Sequence, residues 1–237
     1  MNALKLTLIS VATGLIATSA QALTFNTTGW LANSKLTFGA DAVNTAIAAG
    51  VILSPAGNAT RLPDEMGADF NGNMVPVPVY SFPVTESQAK IGWNLKIIAT
   101  KGITVGSGVK MVRYDDPVTS AGLANFDVDF EADIMYADVY TPQGTTKMPL
   151  YKFTDDNNTV TKISGFQIIS KGTVSKLTFT PTAVEAIATA LELSDVLKAT
   201  LVTSDWGKVT IDVTSKSRKP KTNGAVLTRE AMGIPLL

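Results

Sequence analysis

Short runs rich in Val, Ile, Phe and Tyr recur at residues 75–84, 91–98, 109–114, 123–130, 134–140, 163–169, 174–179 and 209–213, each bounded by Gly, Asp, Asn or Pro. β-branched and aromatic residues fit a pleated surface, and the bounding residues fit turns. Strands of this length at this spacing point to a sandwich or a barrel, and the reading adopted is a mainly β protein, an antiparallel β-sandwich with two short capping helices. Pro76, Pro78 and Pro83 cannot donate to a ladder, so the 75–84 strand is placed at an edge or read as partly polyproline-like.

Two helical segments interrupt the strands. The first spans about 40–49, carries Val43 and Ile47 on one face, and stops at Gly50. The second has Thr180 as its N-cap and Pro181 at the first helical position. It then sets Val184, Ile187, Ala188 and Leu191 at the spacing of a core-facing stripe. Both read as lids on a sheet. Leu36, Thr37, Phe38, Ala42 and Val43 recur as Leu177, Thr178, Phe179, Ala183 and Val184 at identical internal spacing, either an internal duplication or two strand-to-helix units under similar packing demands.

The N-terminus has a different character. Lys5 precedes an apolar run at residues 6–17, and the small residues Ser19, Ala20 and Ala22 follow, which is the pattern of a cleaved export signal over 1–22. No other segment approaches the roughly 18 apolar residues of a membrane helix, so the mature chain is expected to be secreted, periplasmic or at the cell surface, without membrane insertion. The remaining domains are read as a β-sandwich over 23–214, a basic linker over 215–224 broken by Pro220, and an apolar C-terminal segment over 225–237.

Composition narrows the chemistry. The chain has no Cys and no His, which removes disulfides, thiolate metal sites, cysteine nucleophiles, serine–histidine triads and imidazole-bound zinc. The charge is balanced, with 20 basic and 20 acidic residues, so no global attraction to nucleic acid or anionic lipid is expected.

The clearest constellation lies at 125–133, where Asn125, Asp127, Asp129, Glu131 and Asp133 alternate with Phe126, Val128, Phe130 and Ala132. On an extended strand this sends acids to one face and apolar residues to the other. The plain reading is a solvated face paired with lysines such as Lys110, Lys152 or Lys162. The functional readings are a calcium site at Asp127, Asp129 and Glu131, or two carboxylates for glycoside hydrolysis. Apolar residues 134–136 break the alternation, which puts a turn nearby. Ser87 and Lys90 have the Ser-x-x-Lys spacing of a lysine-activated nucleophile, though without its companion motifs. Asn26, Asn58 and Asn157 open glycosylation-type triplets that read as Asn-rich turns. Lys216, Arg218, Lys219 and Lys221 form a basic cluster whose sign is opposite to the acidic row, which makes them candidates for an interaction within or between molecules.

Two segments, 123–140 with its Tyr136-Ala137-Asp138-Val139 ending and 177–188 entering a helix, resemble HtaA-like secreted bacterial β-domains. The resemblance implies an antiparallel β fold with a short helix, and haem binding through a tyrosine supported by a histidine. Because this chain has no His, the fold is carried over and the haem site is not. The function expected from all of this is an exported, non-enzymatic structural or binding protein. It would be a surface, matrix or filament subunit, or a ligand-binding module, partnered by itself or by other surface proteins. A carboxylate-dependent glycoside hydrolase and a calcium- or haem-binding module are the alternatives.

Overall fold

A computed structural model describes residues 24–26, 30–91, 97–116, 118–156, 160–164, 167–217 and 224–236. The expected leader at 1–22 and Arg218, Lys219 and Lys221 of the basic cluster lie outside the described residues, as do Pro220 and Asn157. The chain order is β1 (Thr24–Asn26), β2 (Trp30–Phe38), α1 (Ala40–Ala48), β3 (Val51–Gly57), β4 (Thr60–Ala68), β5 (Met74–Pro83), β6 (Glu86–Ile91) and β7 (Ile97–Arg113). It continues with β8 (Ser120–Asp129), β9 (Ile134–Thr141), β10 (Gly144–Asp155), β11 (Val160–Ser164), β12 (Gln167–Phe179), α2 (Pro181–Ala190), α3 (Asp195–Thr203) and β13 (Gly207–Ser217). Among the described residues no helix is long and apolar enough to cross a membrane.

The protein is mainly β and antiparallel. Its strands make one sheet in the order β1-β6-β7-β8-β9-β10-β12-β13-β2-β5-β4, with β11 on β12 and β3 on β7. The sheet curls until β2 and β7, each third from one end of that order, are joined through a single pair of residues. The Val84 N–H donates to the Ala32 carbonyl in β2 (3.0 Å), and the next N–H, from Thr85, donates to the Ile103 carbonyl in β7 (2.7 Å). The Thr85 hydroxyl donates to the same Ile103 carbonyl (3.0 Å) and accepts from the Val105 N–H (3.0 Å), so one side chain completes the ladder where the chain changes partners. β5 running into β6 is therefore one bent stave. With β7, β8, β9, β10, β12, β13 and β2 it forms a wall of eight staves, a closed barrel in place of two separate sheets.

The edge position expected for β5 holds for part of the strand. β5 lies between β2 and β4, but its β2 ladder covers only Val79 to Pro83, so Pro76 and Pro78 sit where the strand is paired on one side.

Side-chain parity sorts the wall. Leu123, Phe126 and Val128 of β8 and Met135, Ala137 and Val139 of β9 are buried in the main core. Across the interior, the rings of Phe82 and Phe126 meet edge to face at 5.5 Å.

The helices close one end. β2 and β12 both pair with β13, so they run in the same direction and release α1 and α2 at the same end of the barrel. This common position accounts for the shared Leu-Thr-Phe approach, since Phe38, Ala42, Phe179 and Ala183 are all buried in one core. In α2, Thr180 caps as expected, its hydroxyl accepting from the Ala183 N–H (3.3 Å) and donating to the Pro149 carbonyl (2.6 Å). The whole Val184, Ile187, Ala188, Leu191 stripe is buried. Each large apolar side chain in it contributes roughly 1.5–3 kcal/mol.

α1 departs from expectation. Its buried residues are Ala40, Ala42, Thr45 and Ala46, and Ile47 is 69% exposed. Small residues face the barrel here because the helix lies close to the 204–207 segment: the Thr45 and Ser204 hydroxyls are 3.2 Å apart. α3 was not anticipated, although Ser194 caps it by accepting from the Leu197 N–H (3.4 Å). Trp206 follows, buried, with its indole N–H on the Leu201 carbonyl (3.3 Å) and its ring 4.5 Å from Phe179.

The C-terminal segment packs on its own barrel. Leu227, Met232 and Ile234 form a second small core with Ala124 and Tyr140 on the outer face of β8 and β9. Gly122 makes room, since a methyl group there would meet Ile234 at 2.5 Å. Asn125, at φ 53° in the β8 bulge, holds the segment with its whole amide. Its oxygen accepts from the Gly106 and Leu227 N–H groups (2.9 and 3.0 Å). Its nitrogen donates to Asp138 (2.9 Å), the Tyr140 hydroxyl (3.1 Å) and the Leu227 carbonyl (3.0 Å). The Tyr140 hydroxyl also donates to the Leu227 carbonyl.

Two outcomes are expected. At Gly39, the N-cap of α1, a methyl group would lie 2.1 Å from the Asp205 carbonyl, so Gly39→Ala should cost about 1–3 kcal/mol in denaturant unfolding. Burial, with Asp138 nearby, pushes the Tyr140 phenol up from 10.0 to about 12. The folded chain thus holds this proton more tightly than the unfolded chain, and stability falls as pH rises from 10 towards 12. Tyr140→Phe should lose about 1 kcal/mol at neutral pH, from the hydrogen bond, and should show a shallower decline over that alkaline window.

Candidate functional site

The acidic residues do not form one row. β8 ends at Asp129, and 130–133 make the turn into β9, with Asp133 at φ 55°. Asn125 is buried under the C-terminal segment, so the outward face of the strand carries only Asp127 and Asp129, with Glu131 in the turn.

Each of these three carboxylates has partners. Asp127 lies 3.5 Å from Lys101 on β7 and 3.1 Å from Lys147 on β10. Asp129 accepts the Glu131 and Ala132 N–H groups, both at 3.0 Å, which fixes the turn. Glu131 pairs with Lys90 of β6 at 2.7 Å. Pairing with lysines from neighbouring strands was anticipated, but the lysines are others. Register decides this: Lys101 stands opposite Asp129 in the β7–β8 ladder, beside Asp127. Lys110, by contrast, lies further along β7 and donates to the Gly233 carbonyl (3.0 Å).

Around the three acids lies an outward groove of about 380 Å3, bordered also by Thr24, Gln88, Thr100 and Tyr136. No group of three or more Asp or Glu residues placed to hold a metal ion occurs among the described residues. A calcium loop turns several oxygens onto one point, whereas here the oxygens point to separate ammonium and amide groups.

The other sequence candidates are dispersed. Ser87 and Lys90 lie on strand β6, not on a helix. Three residues apart on a strand they face opposite sides, so the lysine does not reach the serine. Lys216 is exposed near the end of β13, and β9, β10 and β12 stand between that strand and β8. Of the tyrosines, Tyr80 donates to the Leu53 carbonyl (2.8 Å), and Tyr151 stacks on Phe179 at 4.5 Å, where burial pushes its phenol up.

A second site lies inside the barrel. Between the staves is a cavity of about 90 Å3 bordered mainly by apolar side chains, Leu36, Phe82, Val109, Met111, Leu123 and Phe126 among them. Trp30, Gln88 and Lys101 also border it. Polar groups are few. The Ser34 hydroxyl donates to the Phe82 carbonyl (3.2 Å), while Thr104, 5% exposed, has a hydroxyl with no hydrogen-bond partner among the described residues. Eight staves leave a lumen that side chains can fill or that can hold one small ligand. An apolar space stays dry and accepts apolar molecules; a cavity of about 150 Å3 takes up benzene, so this smaller one must widen to admit an aromatic ring.

The interior was not legible as a site. Thr104 sits in the alternating Gly102-Ile-Thr-Val105 stretch at a position whose parity turns it inward, but that parity depends on the bulges of β7. No family model, curated protein or solved structure matches the chain.

A variant carrying Asp127→Asn, Asp129→Asn and Glu131→Gln should fold and lose no more than about 3 kcal/mol, because the three surface ion pairs it removes contribute only about 0–1 kcal/mol each. Far-UV circular dichroism and urea unfolding measure this.

Proposed function

We propose that this chain is an exported, non-enzymatic binding protein, a helix-plugged β barrel that carries a small apolar molecule in its interior. The observation that carries the reading is the apolar cavity of about 90 Å3 between the staves. Such a lumen favours an apolar guest through the hydrophobic effect, at roughly 25 cal/mol per Å2 of apolar surface removed from water. The carboxylates that would serve a hydrolase are engaged with lysines and backbone amides, which supports binding over catalysis. The C-terminal segment covers its own sheet, which supports a self-contained carrier over a subunit that polymerises by exchanging that segment.

Toluene, larger than the space at rest, probes whether the lumen widens around an apolar guest. Isothermal titration of the mature protein should show saturable binding, and Ala89→Leu, which fills the lumen from an inward position on β6, should weaken it at least tenfold while unfolding remains cooperative. Equal toluene binding by both proteins would place the guest outside the barrel and end the proposal. Hydrolysis of a polysaccharide that disappears in the triple carboxylate variant would favour the enzyme reading instead.

A further inference from the structure

We infer that the molecule held in the barrel carries a hydroxyl or carbonyl oxygen and that Thr104 is the residue that recognises it. The inference rests on the barrel being a carrier and adds the chemical class of what it carries.

Thr104 is placed by the β7–β8 register directly across from Phe126, whose ring meets Phe82 over the interior. Its neighbours along β7, Ile103 and Val105, are only partly buried, whereas Thr104 is 5% exposed and borders the cavity. None of the serines around the same space is without a partner, while the Tyr151 phenol, whose ring stacks on Phe179, also borders it. Ser34 donates to the Phe82 carbonyl, and Ser87 and Ser170 each have a partner within the protein. The Thr104 hydroxyl finds none among the described residues.

A buried hydroxyl without a partner costs about 1–3 kcal/mol, and valine has the same shape without that cost. A threonine here therefore loses stability in the free protein and gains it back when a guest presents an oxygen. Sites built to hydrogen-bond a guest also discriminate against analogues lacking that group, because the protein's polar atom is then left unpaired. Thr100 and Ser107 hydroxyls are unpartnered too, but neither residue borders the interior cavity.

Toluene and phenol match in size and differ in the oxygen, so the ratio of their affinities reads the contribution of Thr104 directly. Titration calorimetry on the wild type, Thr104→Val and Thr104→Ser should show toluene bound by all three. The phenol-to-toluene affinity ratio should fall about 2- to 10-fold in Thr104→Val and be retained in Thr104→Ser. Thr104→Val should also unfold at a higher temperature than the wild type when no guest is present, which a merely structural hydroxyl would not produce. Toluene binding with the same ratio in all three proteins would overturn the role of Thr104 and leave the carrier reading intact. A folded wild type that binds neither compound would remove both.

Discussion

The architecture depends on the change of partner between Val84 and Thr85. Two successive N–H groups serve β2 and β7, each third from one end of the sheet, and the Thr85 hydroxyl supplies the bonds that the bend would otherwise leave open. Closure of this kind removes edges along most of the wall and turns the inward faces of eight staves onto one another. Without it, the apolar residues of β2, β5 and β13 would have no opposite wall. The interior cavity and the inward position of Thr104 both follow from this one bend.

What closure leaves open is handled locally. Past the bend towards the helices, β4 extends from β5 and β3 from β7, and the Tyr80 hydroxyl bridges to the Leu53 carbonyl of β3. β4 ends the sheet and carries Pro63 and the Arg61–Asp64 pair (3.0 Å), features that discourage another strand from adding to it. On the outer face of β8 and β9, Asn125 and Tyr140 hold the C-terminal segment over small residues, which buries Leu227 and Ile234 away from water. The polar hub outside the wall is fully bonded, and the polar group inside it at Thr104 is not.

Much of the fold was legible because it rests on local rules. The Thr180–Pro181 start of α2 and its apolar stripe depend on capping and a 3.6-residue period, and both occur where the chain predicts them. The alternation at Phe126 and Val128 sets the inward face of β8 for the same reason. α1 was half legible: its position is right, but its buried face depends on how closely the 204–207 segment approaches, and Ile47 points away. The acidic row failed beyond Asp129 because a turn replaces the strand there, and at Asn125 because a left-handed residue in a bulge takes that amide out of the alternation. Which lysines meet the acids was not legible at all, since a ladder's register is a property of two strands together.

By itself, the amino-acid sequence determined strand content, the helical lids and their caps, and the absence of thiol and imidazole chemistry, because each depends on residue identity or on neighbours a few positions apart. Only the tertiary structure decided that the sheet closes into a barrel, that the C-terminal segment returns to its own wall, and that Thr104 faces an apolar interior. Those outcomes depend on contacts between residues far apart in the chain, where bulges and register select which side of each strand is turned inward.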